Sequence, residues 1–282
     1  MQGALGIIAG GGTLPGQVAA AARAAGRDVF IVGLEGFADP AALVPYPHRF
    51  FRVMAAGQIL AALRAADCRD LVLVGPVRRP SLLDLRPDPE GARILARIGR
   101  AAFAGDDGLL SAVIRILNEE GFRVLGAQDI LAEALGPAGL LTRAEPDAVA
   151  MADIRRGIEV ALALGAADVG QGCVVQQGIV LAVEAAEGTD AMLARSKALA
   201  RPGPGGVLVK LVKPGQNRRA DLPTIGPETV RGAAQAGVRG IAFEAGGTIL
   251  ASREALVARA DGAGLFLVGL EPEFLTEQGE SE

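Results

Sequence analysis

Short apolar runs bounded by glycine or proline alternate along the chain with Ala- and Leu-rich segments whose apolar residues recur at helical spacing. Residues 5–9 read as a buried strand, followed by Gly10-Gly11-Gly12-Thr13 and an Ala-rich helix that ends near Gly26. A second strand is predicted over 28–32, a helix over 58–66, and a continuous apolar strand over 71–74 that Gly75-Pro76 breaks. Strands alternating with helices imply a parallel sheet. Two further helices are predicted over 91–103 and 109–120, with Gly121 placed to end the second in a left-handed cap, and a short strand over 123–125 closes this half.

The stretch from Gly136 to Pro146 lacks periodicity and separates two regions that have it, so it reads as a connector. The expected organisation is a first domain over 1–135, a linker over 136–147 and a second domain over 148–282. The second half opens with an amphipathic helix over 149–164. Strands over 172–175 and 179–184 are spaced as a hairpin, and a strand is predicted over 207–212. A helix over 227–236, a strand over 241–244, a helix over 253–261 and a strand over 265–268 restore the alternation, and the last residues read as frayed. The fold class is therefore α/β in two domains, a Rossmann-like parallel sheet followed by a second α/β domain.

Composition narrows the function. The 282 residues include no Trp, one Tyr and nine Phe, too few aromatics for a base-stacking nucleic-acid binder. A formal net charge of −4 offers no overall attraction to nucleic acid or to an anionic membrane, so any anion site is local. Cys68 and Cys173 lie too far apart in sequence for a disulfide framework or a clustered zinc site, which fits a reducing compartment. His48 is the single histidine and no Gly-x-Ser-x-Gly elbow occurs, which argues against serine-hydrolase chemistry and a histidine-rich dimetal centre. No apolar stretch reaches the ~20 residues of a transmembrane helix, so a soluble or peripheral cytoplasmic protein is expected.

Four constellations carry candidate chemistry. Gly10-Gly11-Gly12-Thr13 between strand and helix would let backbone N–H groups approach a phosphate; a tight turn is the plain alternative. Asp106-Asp107 precedes an apolar helix, where the pair either holds a hydrated Mg²⁺ or simply caps the helix. Glu184, Glu187 and Asp190 follow an apolar strand at three-residue intervals, and a charge that ends such a strand commonly faces a cleft. The most unusual segment runs from Lys210 to Thr229. Lys210, Lys213, Arg218 and Arg219 crowd a proline-restricted loop with Gln216, Asn217 and Asp221, where cations suit phosphoryl oxygens and Asp221 suits a metal or a water.

Taken together, Gly6-Ile-Ile-Ala-Gly-Gly-Gly-Thr-Leu-Pro15, Gly105-Asp-Asp107, Asp168-Val-Gly-Gln-Gly172, Val183-Glu-Ala-Ala-Glu-Gly-Thr-Asp-Ala-Met-Leu193 and Asp221-Leu-Pro-Thr-Ile-Gly226 span nearly the whole chain. In order and spacing they resemble the UDP-2,3-diacylglucosamine pyrophosphatases of the lipid A pathway that are unrelated to the calcineurin-like enzyme. The resemblance implies a two-domain enzyme with an interdomain cleft, Mg²⁺ or Mn²⁺ dependence, and an essential carboxylate at Asp221. It implies catalytic roles for Asp221, Lys213 and Asp190, and metal ligation by Asp221, Asp190 and Asp107. It implies substrate contacts from Gly11, Gly12, Thr13, Gly75, Arg79, Asp106, Gln171, Glu184, Gly188, Thr189, Lys210, Gln216, Thr224 and Gly226. Two departures stand out. Asn217 occupies a position where an acidic residue is expected, and Ala104 one where a basic residue is usual, with Arg100 one helical turn earlier.

The expected partner is an amphiphilic nucleotide sugar; peripheral contact with the inner membrane and a homodimer are compatible with the sequence. The rival readings are a non-catalytic nucleotide-sugar or lipid-binding protein, and a Rossmann-like nucleotide-sugar transferase or oxidoreductase. The missing third fingerprint glycine counts against the oxidoreductase.

Overall fold

The structure, a computed structural model, describes residues 3–77, 87–99, 106–216, 218 and 222–279. The chain divides into two compact units, Met1–Ala132 with Asn217–Asp221, and Glu133–Gln216 with Leu222–Glu282.

The first unit contains β1 (Leu5–Ala9), α1 (Leu14–Ala24), β2 (Val29–Leu34), α2 (Pro40–Leu43), β3 (His48–Phe51), α3 (Ala56–Ala65), β4 (Asp70–Val74), α4 (Pro89–Ile98), α5 (Asp106–Glu119), β5 (Arg123–Leu125) and α6 (Ala127–Ile130). Its five strands are all parallel in the order β3-β2-β1-β4-β5, so the strand order reverses between β1 and β4. This is the doubly wound arrangement expected of the alternating pattern. On β1, Leu5, Ile7 and Ala9 are fully buried, and α1 buries Pro15, Val18, Ala19 and Ala22 at helical spacing against β1 and β2. On α3, Ile59, Leu60 and Leu63 share a core with Ile114 and Leu117 of α5, beneath Val32, Leu71 and Val124 of the sheet. The edge strand β3 and the single turn of α2 are additions to the predicted elements. Both are short, and Pro45, Pro47 and a polar His-Arg start obscure the alternation of β3.

The second unit contains β6 (Gly139–Leu140), α7 (Ala148–Ala166), β7 (Gly172–Gln176), β8 (Ile179–Val183), α8 (Thr189–Ser196), β9 (Val207–Lys210), β10 (Thr224–Ile225), α9 (Pro227–Gln235), β11 (Gly240–Glu244), β12 (Ile249–Leu250), α10 (Arg253–Ala263), β13 (Phe266–Leu270) and α11 (Pro272–Gly279). Its main sheet has the order β6-β13-β11-β9-β7-β8, and the short β10 and β12 pair separately in parallel. The strands β13, β11 and β9 are parallel, whereas β7 runs against β9 and β8 against β7. Consequently β8, β9, β11 and β13 all end at one edge, where β7 begins.

Side chains alternate across this sheet. Val174, Leu208, Ile241, Phe243 and Leu267 face Met192, Leu193, Val230 and Leu256 of α8, α9 and α10. On the other face, Cys173, Val175, Val207, Val209 and Ala242 pack with Ile154, Ile158 and Ala161 of α7. The helix approaches so closely that a Cβ on Gly157 would stand 2.3 Å from Val209 Cγ2.

Besides the added α8, β10 and β12, two segments differ from expectation. The 136–147 stretch supplies β6, paired antiparallel with β13, and Thr142, whose buried hydroxyl accepts the Leu267 N–H at 2.9 Å. A two-residue strand held by backbone bonds leaves no periodic signature. The chain end read as frayed forms α11 instead, because Pro272 starts a helix and Phe274 and Leu275 pack on the α7 side of the core.

Candidate active site

In the first unit the β1–α1 turn and the loop after β4 meet where the strand order reverses, the usual ligand position in an open α/β sheet. Their contact is backbone on backbone. Gly10 donates its N–H to the Val74 carbonyl at 2.8 Å, and Gly11 donates to the Pro76 carbonyl at 2.9 Å. A Cβ on Gly10 would lie 2.4 Å from the Gly75 oxygen, and one on Gly75, whose φ is +93°, would lie 2.4 Å from the Gly11 oxygen. These glycines are therefore required by loop packing, and the Gly11 N–H is already committed within the protein. Gly12 and Thr13 are exposed ahead of α1, and the Thr13 hydroxyl accepts a long 3.4 Å bond from Gln17 Nε2. Any phosphate contact from this turn falls to Gly12, Thr13 and the first N–H groups of α1.

Asp106 and Asp107 open α5, where their position suits the helix dipole; their side chains lie outside the described residues, as do Arg79 and Gly105. The lone histidine stands apart, on β3, with Nδ1 2.8 Å from the Tyr46 carbonyl.

In the second unit, the carboxyl edge of the sheet gathers charged side chains from distant parts of the sequence. Glu184 follows β8, donates its N–H to Gly172 at 2.8 Å, and is only 6% exposed. Thr189, at the start of α8, donates its hydroxyl to Glu184 Oε1 at 2.5 Å and accepts from Lys210 Nζ at 2.6 Å. Lys210 ends β9, is 5% exposed, and lies 3.9 Å from Glu184 Oε1. The glycines of the Asp168–Gly172 loop make room for this cluster. A Cβ on Gly170 would meet the Glu184 carbonyl at 2.0 Å, and one on Gly172 would stand 3.1 Å from Glu184 Oε2.

Beyond β9 the chain turns through Lys213, whose ammonium donates to Asp168 Oδ1 at 2.6 Å. Asp168 itself sits in the left-handed region at φ +51°, just past α7. Gln216 closes the turn by accepting the Lys213 N–H on Oε1 at 3.1 Å. Three side-chain atoms near this edge, Gln171 Oε1, Glu184 Oε2 and Gln216 Nε2, are buried without a partner among the described residues. Unsatisfied buried donors and acceptors are rare in native proteins and call for a ligand or ordered water. The buried Lys210 and the half-buried Lys213 at the same edge suit an anionic ligand that also offers hydrogen bonds.

Residues 4–134 match the family described as LpxI N-terminal domain, and residues 137–268 match LpxI C-terminal domain. A protein of Caulobacter vibrioides named UDP-2,3-diacylglucosamine pyrophosphatase LpxI is 44% identical over 275 residues, which cover 95% of this chain and 98% of its own length. The chain belongs to the LpxI family. The structure brings Gln171, Glu184, Thr189, Lys210, Lys213 and Gln216 to one sheet edge.

Asp190 is exposed in the first turn of α8, bordering a surface depression with Lys197, Glu228 and Arg231, and Gly188 caps that helix at φ +80°. Thr224 donates its hydroxyl to the Leu222 carbonyl at 3.2 Å, and Gly226 caps α9. Asp221, expected to be the essential carboxylate, falls outside the described residues, as do Asn217 and Arg219. Among the described residues, no group of three or more His, Cys, Asp or Glu side chains is placed to hold a metal ion.

Asp168 and Glu244 received no role from the sequence. Glu244 ends β11 as Glu184 follows β8, so the same signal, a carboxylate terminating an apolar strand, applies to both.

Proposed function

We propose that this chain hydrolyses the pyrophosphate bond of UDP-2,3-diacylglucosamine in lipid A biosynthesis, releasing UMP and 2,3-diacylglucosamine 1-phosphate. The observation that carries the proposal is the full-length likeness to the Caulobacter vibrioides pyrophosphatase. The polar edge of the second unit supplies suitable chemistry. Water adds to one phosphorus, the bridging P–O bond breaks, and the departing phosphate keeps the electron pair. Lys210 and Lys213, held by Thr189 and Asp168, offer fixed positive charge to the phosphoryl oxygens as that negative charge redistributes. Glu184 Oε2 offers an acceptor for a sugar hydroxyl or a water proton.

Dependence on Mg²⁺ or Mn²⁺ is part of the proposal, with Asp221, Asp190 and Asp107 as candidate ligands. Glu184, with Lys210 Nζ 3.9 Å from its Oε1, does not make a dication site by itself. The metal requirement therefore rests on the family resemblance and on Asp221, and no reaction step is assigned to the ion. We place the protein in the cytoplasm, with peripheral contact at the inner membrane where an acylated substrate resides. No helix among the described residues is long and apolar enough to cross a membrane.

The test is product analysis. The purified chain, given UDP-2,3-diacylglucosamine and Mg²⁺, should release UMP; EDTA should stop the release and added Mg²⁺ restore it. Unchanged substrate would overturn the enzyme reading, and full activity in exhaustively chelated buffer would overturn the metal requirement.

A further inference from the structure

We infer that Glu244 is a positioning residue for the reaction: a buried carboxylate that fixes the backbone carrying Lys213 without touching substrate. The β11–β9 ladder ends with Phe243 opposite Lys210, so Glu244 stands where the neighbouring chain leaves the sheet. Beyond that point each amide of the departing chain is held by a different element. Leu211 donates its N–H to the Gln171 carbonyl at 2.9 Å, Val212 donates to Glu244 Oε2 at 3.2 Å, and Lys213 donates to Gln216 Oε1 at 3.1 Å. The Glu244 carboxylate thus replaces the strand partner that Val212 has lost, one residue before the lysine.

Two further features fit this role. Glu244 is 8% exposed, and a carboxylate that deep is costly unless it accepts hydrogen bonds. Gly247 leaves room for it, since a Cβ there would stand 2.6 Å from Glu244 Oε1 and 2.8 Å from Val212 Cγ2. The same missing side chain therefore leaves room for both the carboxylate and the Val212 side chain beside it. Displacing that backbone would move the Lys213 ammonium away from the position Asp168 defines, and small misplacements of a charge-stabilising group cost rate more than affinity.

The inference rests on the proposed pyrophosphatase activity for its rate measurements, and amide hydrogen exchange provides a readout independent of activity. Glu244→Ala should lower kcat by ~10- to 100-fold with KM changed less than about threefold. It should also speed exchange in a peptide spanning residues 211–216. Glu244→Gln keeps a carbonyl oxygen for the Val212 N–H and should restore kcat to within about threefold, with slow exchange. Gly247→Ala, which crowds the carboxylate without removing it, should reproduce both defects and serves if Glu244→Ala does not fold.

If the unsubstituted protein releases no UMP, the proposed function fails, and the exchange data alone judge whether Glu244 holds the loop. Normal kcat in both Glu244→Ala and Gly247→Ala overturns the inference. So does unchanged exchange, and so does a Glu244→Gln protein as slow as Glu244→Ala, which would assign the effect to charge instead of to the Val212 contact.

Discussion

Both units place their candidate chemistry at the carboxyl edge of parallel strands, yet they do so with different parts of the chain. In the first unit the edge is backbone: glycines bring the β1 and β4 loops together, and two of their N–H groups are used in that contact. In the second unit the edge is side chain: Glu184, Lys210, Lys213 and Glu244 are fixed by partners on other elements. A glycine-rich turn therefore says less about ligand contact than its resemblance to phosphate loops suggests. A charged residue ending a buried strand says more, because burying it is unfavourable without a partner.

Substitutions should separate these two modes. The largest effect is expected from Lys213→Ala, which removes an oriented charge while leaving a partly exposed Asp168 behind. Turnover should fall by ~10²- to 10³-fold, with a melting temperature within a few degrees of the parent. Steady-state kinetics beside a thermal melt checks this, and near-normal kcat would break the side-chain account of the second unit.

Gly10→Ala should act the other way, chiefly on stability. Its Cβ would be forced within 2.4 Å of the Gly75 carbonyl oxygen, and backbone cannot swing aside as a side chain can. A loss of about 1–3 kcal/mol is expected, visible as a lowered denaturation midpoint. An unchanged midpoint would mean that the glycine turn is not held by its neighbour loop.

The smallest effect concerns the opposite end of the first sheet, where Asp70 at the start of β4 pairs with Arg123 at 2.7 Å and with Arg27 at 2.6 Å. Hydrogen bonding from Arg123, aided by that from Arg27 and by both charges, holds the Asp70 carboxyl below its ordinary value despite burial. Because the folded-state value is depressed, the stabilisation is complete above about pH 4 and is lost as pH falls through the lower folded value. Melting temperature should therefore drop on acidification toward pH 3, and Asp70→Asn should be less stable near neutrality with a flatter acid profile. The two buried thiols can assign the loss to a unit. Burial raises Cys68 to about 11 and Cys173 to about 12, so labelling of either reports opening of its own unit. Acid-induced exposure of Cys173 ahead of Cys68 would contradict placing this sensitivity in the first unit.

Much of the fold was legible in the sequence. The apolar runs at 5–9, 71–74 and 207–212, and helices with apolar residues at three- and four-residue spacing, determined alternating strands and helices, because burial on one or both faces requires those periods. The close spacing of the apolar runs at 172–175 and 179–184 pointed to the β7–β8 hairpin, whose turn residues Gln177 and Gly178 the structure holds at positive φ. The strand-terminal Glu184 and the cations of the 210–219 loop were also visible as candidate chemistry.

Tertiary structure decided what those residues touch. It committed the Gly11 N–H to Pro76, paired Lys213 with Asp168 across 45 positions, set Glu244 beneath Val212, and drew two residues of the expected connector into the sheet as β6. Periodicity is local, since each side chain's preference for core or water is written at its own position. Partnership is not, because it depends on the register in which distant strands meet, and that register is fixed only when the whole core packs.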